Sequence, residues 1–365
     1  MNDMRKYLRY MKTVSAVVRY TKTWSDVFLL FANRKDIADI RFRSGVTITK
    51  VKRECFGYPF TIAEIGRASY HHRMRDECGT IILDNTLIIP KSRLYVLPEF
   101  CSFFDNGGSI ILNDNENPIV EFKYLGKKLH FTLPDVINGI HEIVEVFLKQ
   151  GYDKFDFRDK TVLDIGGFIG DTAIFFACEG ARKVISFEPI PTIYEIAKKN
   201  ILTNKFHDVV QIYNEGVSDK SATSPFWVSE RTESSSLFST KLTKDLTTKT
   251  TGREEITIKT VSICEAFSGF HSIDILKMDC EGSEYAILEA ILNNNLQQRI
   301  MDGIMLEAHP VNEKWRPQYA AELLKKMRFD VHINSTPYVW FIWCEKRRRR
   351  FWEGLTQLIY GSDAT

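Results

Sequence analysis

Apolar runs in the second half of the chain alternate with stretches whose apolar residues recur at helical spacing. Thr161–Ile165, Lys183–Glu188, Val209–Val217, Ile273–Met278 and Gly303–Glu307 read as strands. Their nearly unbroken apolar character is that of strands buried on both faces. Asp171–Glu179, Ile193–Thr203, Ser283–Asn293 and Gln318–Met327 read as the intervening helices. This alternation predicts a doubly wound α/β sheet. Two further strands, Val331–Asn334 and Tyr338–Cys344, are joined through Ser335-Thr336-Pro337. So short a connection makes only a hairpin, so the sheet is expected to end in an antiparallel pair.

The first part of the chain has a different texture. Residues 4 to 42 lack Gly and Pro and are rich in Arg, Lys, Tyr and Leu, which predicts helix, with Val27–Phe31 strongly apolar. From Gly45 to Pro134 short β-branched or aromatic runs follow one another: Val46–Val51, Thr80–Ile89, Ser109–Leu112, Ile119–Tyr124 and Leu129–Leu133. Turn formers such as Asn106-Gly107-Gly108 and Asn113–Pro118 separate them, which predicts a small β-rich module. Val136–Lys149 has helical spacing and leads onward. The expected division is a smaller α+β domain over 1–150, the doubly wound domain over 151–346 and a basic, aromatic tail over 347–365. Between Val217 and Ile256 a stretch rich in Ser, Thr and Lys reads as a loop, either a lid or a surface insertion.

Composition narrows the function classes. The chain has 365 residues, 44% hydrophobic and 26% charged, enough for a sizeable core. A net charge of +2 speaks against a dedicated nucleic-acid binder. The seven cysteines, Cys55, Cys78, Cys101, Cys178, Cys264, Cys280 and Cys344, show no C-x-x-C spacing. Reduced buried thiols and a cytoplasmic location are therefore expected. No apolar run has the length of a membrane span. The run Lys346–Arg350, with Phe351, Trp352 and Leu355, allows docking on anionic lipid, at most as a peripheral contact, or on RNA, and a solvated tail is the simpler reading. His71, His72 and Cys78 are too sparse for a metal site, and His207 and His271 have no partner pattern.

The chemistry concentrates at the ends of the strands. Thr161-Val-Leu-Asp-Ile-Gly-Gly-Phe-Ile-Gly170 is a buried strand entering a glycine turn, with a helix from Asp171. Glycine lets the chain turn tightly and a ligand approach the backbone, while the helix start favours an anionic group. Asp164 can accept from a cofactor ammonium or orient the loop, and Glu188, closing the second strand, can accept from ribose hydroxyls. A nicotinamide dinucleotide is the rival ligand. The spacing here is D-x-G-x-x-x-G, and Phe168 stands where the second fingerprint glycine would admit a pyrophosphate. A methionine-type cofactor has no pyrophosphate and tolerates Phe168.

Asp279 and Glu281 follow the fourth strand, and Glu307 and His309 the fifth, so all should face the cleft outside the strand ends. Methyl transfer is a displacement that needs alignment and removal of the acceptor proton. His309 or Asp279 can serve as base, or Asp279, Glu307 and His309 can hold a divalent ion. Glu281 and Glu284 can equally cap the helix near Ser283.

These segments resemble the FkbM family of class I methyltransferases. The resemblance rests on Val162–Gly170 with Glu188-Pro189, on Ser234-Ser235-Ser236-Leu237, and on Lys277, Asp279, Glu281, Gly282 and Glu284, which reproduce a K-x-D-x-E-G-x-E signature. Leu306–His309 looks like the family's E-x-H strand end. The resemblance covers about Phe155 to Cys344 and implies a Rossmann-like class I methyltransferase fold. It implies S-adenosyl-L-methionine as cofactor and O-methylation of a small molecule, sugar or glycan. It implies that Asp164, Gly166, Gly170 and Glu188 bind the cofactor, and Gly167, Phe168, Pro189, Glu215, Gly216 and Asp279 are further candidate contacts beside them. The candidate catalytic group is Asp279, His309, Glu281 and Lys277. One departure is Asn214–Asp219, where Gly216 takes the place of an acidic adenine partner, leaving Glu215, Asp219 or backbone for that contact. Residues 1–150 would shape the acceptor site or form a homo-oligomer contact. The rivals are an NAD-dependent oxidoreductase and a catalytically silent module that only binds the cofactor.

Overall fold

The computed structural model describes residues 12–347, except 57–58, 78, 85–86, 113–116, 229–253 and 336–339. The Ser234–Leu237 segment, Cys78 and the basic run beyond Arg347 therefore lie outside the described residues. The chain forms two compact units, one built mainly from residues before Ile111 with Asp135–Val144, the other from Glu145 onward with Leu112–Val120 and Tyr124–Pro134.

In the second unit, β1 (Thr161–Ile165), α1 (Asp171–Cys178), β2 (Lys183–Phe187), α2 (Pro191–Thr203) and β3 (Val210–Tyr213) follow one another. They are succeeded by β4 (Ile273–Met278), α3 (Glu284–Asn293), β5 (Ile300–Ala308), α4 (Pro317–Lys326), β6 (Phe329–Ser335) and β7 (Trp340–Lys346). The sheet order is β3-β2-β1-β4-β5-β7-β6. The first five strands of that order are parallel, and the order reverses between β1 and β4, which is where such sheets open a crevice for a ligand. Strand β7 inserts antiparallel between β5 and β6, so the expected terminal hairpin is present.

The central strands are apolar because they are buried on both faces: all of β1 is buried, with Val162, Leu163 and Ile165 at 1% exposure or less. Leu276, Met278, Ile304 and Leu306 from β4 and β5 join one core cluster with Ile287, Leu288 and Ile291 of α3. Helix α2 does more than cover the sheet. Asn200, 1% exposed, accepts from Thr132 N at 2.7 Å and donates to Thr132 O at 3.0 Å and Ile169 O at 2.9 Å. A side-chain amide thus completes backbone hydrogen bonding for the strand Lys127–Thr132 and for the glycine turn.

Several expectations are corrected. The expected third strand stops at Tyr213, and Gly216–Ser218 leaves it to pair in parallel with Thr260–Ser262 of another small sheet. The stretch read as loop carries strands at both flanks, Ala222–Val228 and Glu254–Ser262, paired antiparallel. Alternating Thr, Lys and Glu with Ile is the pattern of strands with one wet face, which polar composition alone disguises.

In the first unit, the single helix expected over 4 to 42 is broken. Residues 12–20 are helical, Thr21 bridges to Phe42, and a second helix occupies Trp24–Phe31. Asn33 then adopts a left-handed φ of 54° and Ala38–Arg41 pairs antiparallel with Thr47–Val51. Long-range strand pairing overrides a local sequence that lacks any breaker. Met74–Glu77, Thr80–Leu83 and Leu87–Pro90 form a three-stranded antiparallel sheet, but helices at Pro59–Ala68 and Leu97–Asp105 make this region less β-rich than expected. No helix among the described residues is long and apolar enough to cross a membrane.

Candidate active site

Three neighbouring strands place Asp164, Ser186 and Lys277 side by side, since Asp164 pairs in register with Ser186 on β2 and with Lys277 on β4. Asp164 is fully buried; its Oδ2 accepts from Ser186 Oγ at 2.8 Å and from Thr172 Oγ1 at 3.1 Å. Its Oδ1 lies 3.1 Å from Lys277 Nζ, a charge contact that falls outside hydrogen-bond angles. Lys277, 1% exposed, also donates to Gly166 O at 2.6 Å. Burial opposes its charge, but Asp164, Asp279 and Asp171 outweigh burial and hold the ammonium protonated above its ordinary range. Lys277 thus lies beneath the glycine turn and ties it to β1.

The turn itself is tightly determined. Gly166 has φ 83° and Gly170 φ 81°, and Phe168 between them is also left-handed at 41°. Gly166 N and Gly167 N both donate to Phe187 O, at 3.0 and 2.9 Å, stitching the turn to the end of β2. Glu188, 5% exposed, spans the same gap: Oε2 accepts from Phe168 N at 3.0 Å and Oε1 from Ile190 N at 2.8 Å. Burial pushes its carboxyl up to about 8, against these donors. Each oxygen retains lone-pair capacity beyond its backbone bond, so a ribose diol can still be accepted. Asn214 Nδ2 donates to the carbonyls of Glu188 and Pro189 at 3.0 and 3.1 Å, fixing the chain past β2. Glu215 pairs with Lys259, Gly216 packs against Ile258, Thr260 and Pro189, and Asp219 accepts from Ser218 Oγ.

At the ends of β4 and β5 a second cluster forms. Tyr152 OH donates toward Glu307 Oε1 at 3.0 Å and Asp279 Oδ2 at 3.3 Å, and Lys277 Nζ lies 5.5 Å from the Tyr152 ring centre. Burial, then the neighbouring Asp279, raises Glu307 to about 7. His309 Nε2 stands 3.6 Å from Glu281 Oε1 and Nδ1 3.2 Å from Glu284 Oε1. Burial disfavours its charge, yet Glu281 and Glu284 outweigh it and raise the imidazole well above its usual value. Glu281, left-handed at φ 52°, is itself raised to about 8 by burial despite the opposing pull of His309. Glu284 is fully buried and accepts from Cys280 N at 3.1 Å and Gly282 N at 2.8 Å, serving the turn into α3. Asp279, Glu284 and His309 offer ligand atoms within 4.8 Å of one another, a set that differs from the expected Asp279, Glu307 and His309 by Glu284.

Sequence reasoning missed Tyr152, Ser186, Thr172 and Asp171. Ser186 and Thr172 lie in strand and helix patterns that read as core. Tyr152 meets its partners only across 127 and 155 residues of chain, so no local signal marks it. Asp171 had one signal, an acid directly after the last glycine of the turn.

Strand order, switch point and the turn beneath Glu188 define a class I methyltransferase architecture of Rossmann type. Residues 164–331 match the methyltransferase FkbM domain, which supports S-adenosyl-L-methionine as the cofactor. The residues present suit it: a buried acid at the end of β2, a glycine turn before a helix start, and a buried acidic oxygen beside that turn. Two curated relatives match in part: a ribosomal protein L11 methyltransferase of Alkaliphilus oremlandii, 33% identical over 81 residues, and an uncharacterized protein 158B of Sulfolobus islandicus rod-shaped virus 1, 34% over 70. The matches take up 22% and 19% of this chain and only 26% and 44% of those proteins. Among solved structures, an O-methyltransferase family protein of Burkholderia thailandensis aligns at 12% identity and TM-score 0.36, over 59% of this chain and 60% of that one. A magnesium protoporphyrin IX methyltransferase of Synechocystis aligns at 11% and 0.33, over 58% and 81%.

Proposed function

We propose that this protein transfers the methyl group of S-adenosyl-L-methionine to a hydroxyl oxygen of a sugar, glycan or similar small molecule. The observation that carries the reading is the carboxylate pair Asp279 and Glu307 bridged by Tyr152 at the edge where the cofactor crevice opens. S-adenosyl-L-methionine supplies the electrophilic methyl. The protein's part is to hold the acceptor hydroxyl in line and take its proton. Glu307, raised toward neutrality, is matched to that task, while His309, kept cationic by Glu281 and Glu284, supplies positive charge at the same edge.

The acceptor side has a fitting wall. Tyr152 meets Phe341 edge-on at 5.5 Å, Phe341 meets Trp343 at 6.2 Å, and Trp343 stacks on His332 at 5.3 Å. Glu307 pairs with Phe341 in register, so the row starts beside the carboxylates and shares their face of the sheet. A row of flat rings ending in acids suits a ring-shaped acceptor that bears hydroxyls.

The test is a mass-spectrometric screen of sugars and glycans with the cofactor, scoring the gain of one methylene. On a substrate so found, kcat/KM should rise as pH passes through about 7, and Glu307→Gln should lower kcat by about 10²–10⁴-fold. Trp343→Ala should raise KM chiefly. A Glu307→Gln enzyme with full kcat would reject the base. Turnover abolished by a chelator, with cofactor binding intact, would give the role to a metal on Asp279, Glu284 and His309.

A further inference from the structure

Four carboxyl groups surround the glycine turn, and their oxygens are unequally engaged. Asp164 is taken up by Ser186, Thr172 and the charge of Lys277. Glu188 accepts the N–H groups of Phe168 and Ile190, and Asp279 accepts from Tyr152. Asp164 Oδ1 accepts no hydrogen bond but lies 3.1 Å from Lys277 Nζ, whereas Asp171, the first residue of α1 directly after Gly170 and only 2% exposed, has an Oδ1 with neither a hydrogen bond nor an ion pair. A buried acceptor without a donor is costly, and where a fold keeps one it marks a place for a missing partner.

The chemistry of that partner follows from the position. S-adenosyl-L-methionine carries a carboxylate and an ammonium on one carbon. The start of α1, where the N–H groups of Asp171 and Thr172 face Asp171's own carboxyl, carries the positive end of the helix and suits the carboxylate. The ammonium then needs an anionic acceptor within a residue or so of the same turn, and Asp164, already paired with Lys277, is the less available acid. We propose that Asp171, through Oδ1, receives the α-ammonium of the methionyl group, so that the amino-acid end of the cofactor is recognised by Asp171 rather than by Asp164. The inference rests on the cofactor reading above. It also explains a buried acid at a helix start: an acid there only for the helix dipole gains nothing from being withdrawn from water.

Titration calorimetry on the full chain tests this with two ligands. S-adenosylhomocysteine has the amino-acid end; 5′-methylthioadenosine has the same adenosyl thioether without it. Asp171→Asn keeps the shape and removes the charge. It should weaken S-adenosylhomocysteine about 10- to 100-fold, the range of a lost charge-assisted hydrogen bond, and leave methylthioadenosine within about twofold. Asp171→Ser replaces it should the Asn variant not fold, and the S-adenosylhomocysteine analogue lacking the α-amino group should lose affinity on the unaltered protein but show no further loss on the variant. Unchanged affinity for S-adenosylhomocysteine, or equal weakening of both ligands, would overturn the assignment to Asp171. Unaltered protein that binds neither ligand would instead remove the cofactor reading itself.

Discussion

A methyl group added at Gly166 would lie 1.8 Å from the carbonyl oxygen of Asp279, and φ there is 83°, so both space and backbone demand glycine. The same contact shows how closely the end of β4 is drawn over the turn after β1. Lys277 locks that arrangement from below, bonded to Gly166 O and paired with Asp164. Lys277→Met should therefore destabilise the fold by about 3–5 kcal/mol in denaturant titration, because it strands a buried carboxylate. Adding Asp164→Asn should recover part of the loss; a single variant as stable as the parent would contradict the pairing. At this scale the sequence was informative where residues share one local motif. Gly166, Gly170 and Glu188 are legible from spacing because turn chemistry is local. Lys277 stood out through the K-x-D-x-E-G-x-E pattern, and its ammonium lies against Gly166 O and Asp164. Spacing identifies a residue as special but cannot say which of two faces of a strand end it serves.

At the level of elements, the central strands β1, β2 and β4 were readable almost residue for residue, since both faces are dry and the apolar run has nowhere else to go. The elements that misled are those whose identity depends on distant partners. Gly216–Ser218 continues β3 in sequence but leaves it in space, because its hydrogen-bond partner is Thr260–Ser262. The strand Lys127–Thr132 gives no hint that α2 will complete its backbone bonding through Asn200. That dependence is measurable. Asn200→Ala leaves Thr132 N, Thr132 O and Ile169 O without their partner, and at about 1–3 kcal/mol per buried unsatisfied group a loss of about 2–4 kcal/mol is expected after partial rescue by water. Because Ile169 belongs to the cofactor turn, the variant should also weaken S-adenosylhomocysteine binding. A loss below about 0.5 kcal/mol would show the clamp to be incidental.

At the scale of the whole molecule, a unit of class I methyltransferase architecture has its glycine turn fixed from three sides: Lys277 beneath, Glu188 across the strand end and Asn200 behind. The turn and its acids face the switch point between β1 and β4, and the carboxylate edge with its aromatic row lies on β4, β5 and β7. The other unit holds helices and small antiparallel sheets, with Asp76 and Lys91 paired at 2.5 Å beside an open pocket of about 820 Å³ lined by Thr47, Thr49 and Arg75. The crevice is built for an adenosyl sulfonium and not a dinucleotide. Calorimetric titration of the unaltered protein with S-adenosylhomocysteine and, separately, with NAD tests it most directly. One-to-one binding of S-adenosylhomocysteine that excess NAD does not compete away is the result expected. Saturable binding of NAD that S-adenosylhomocysteine cannot displace would contradict it.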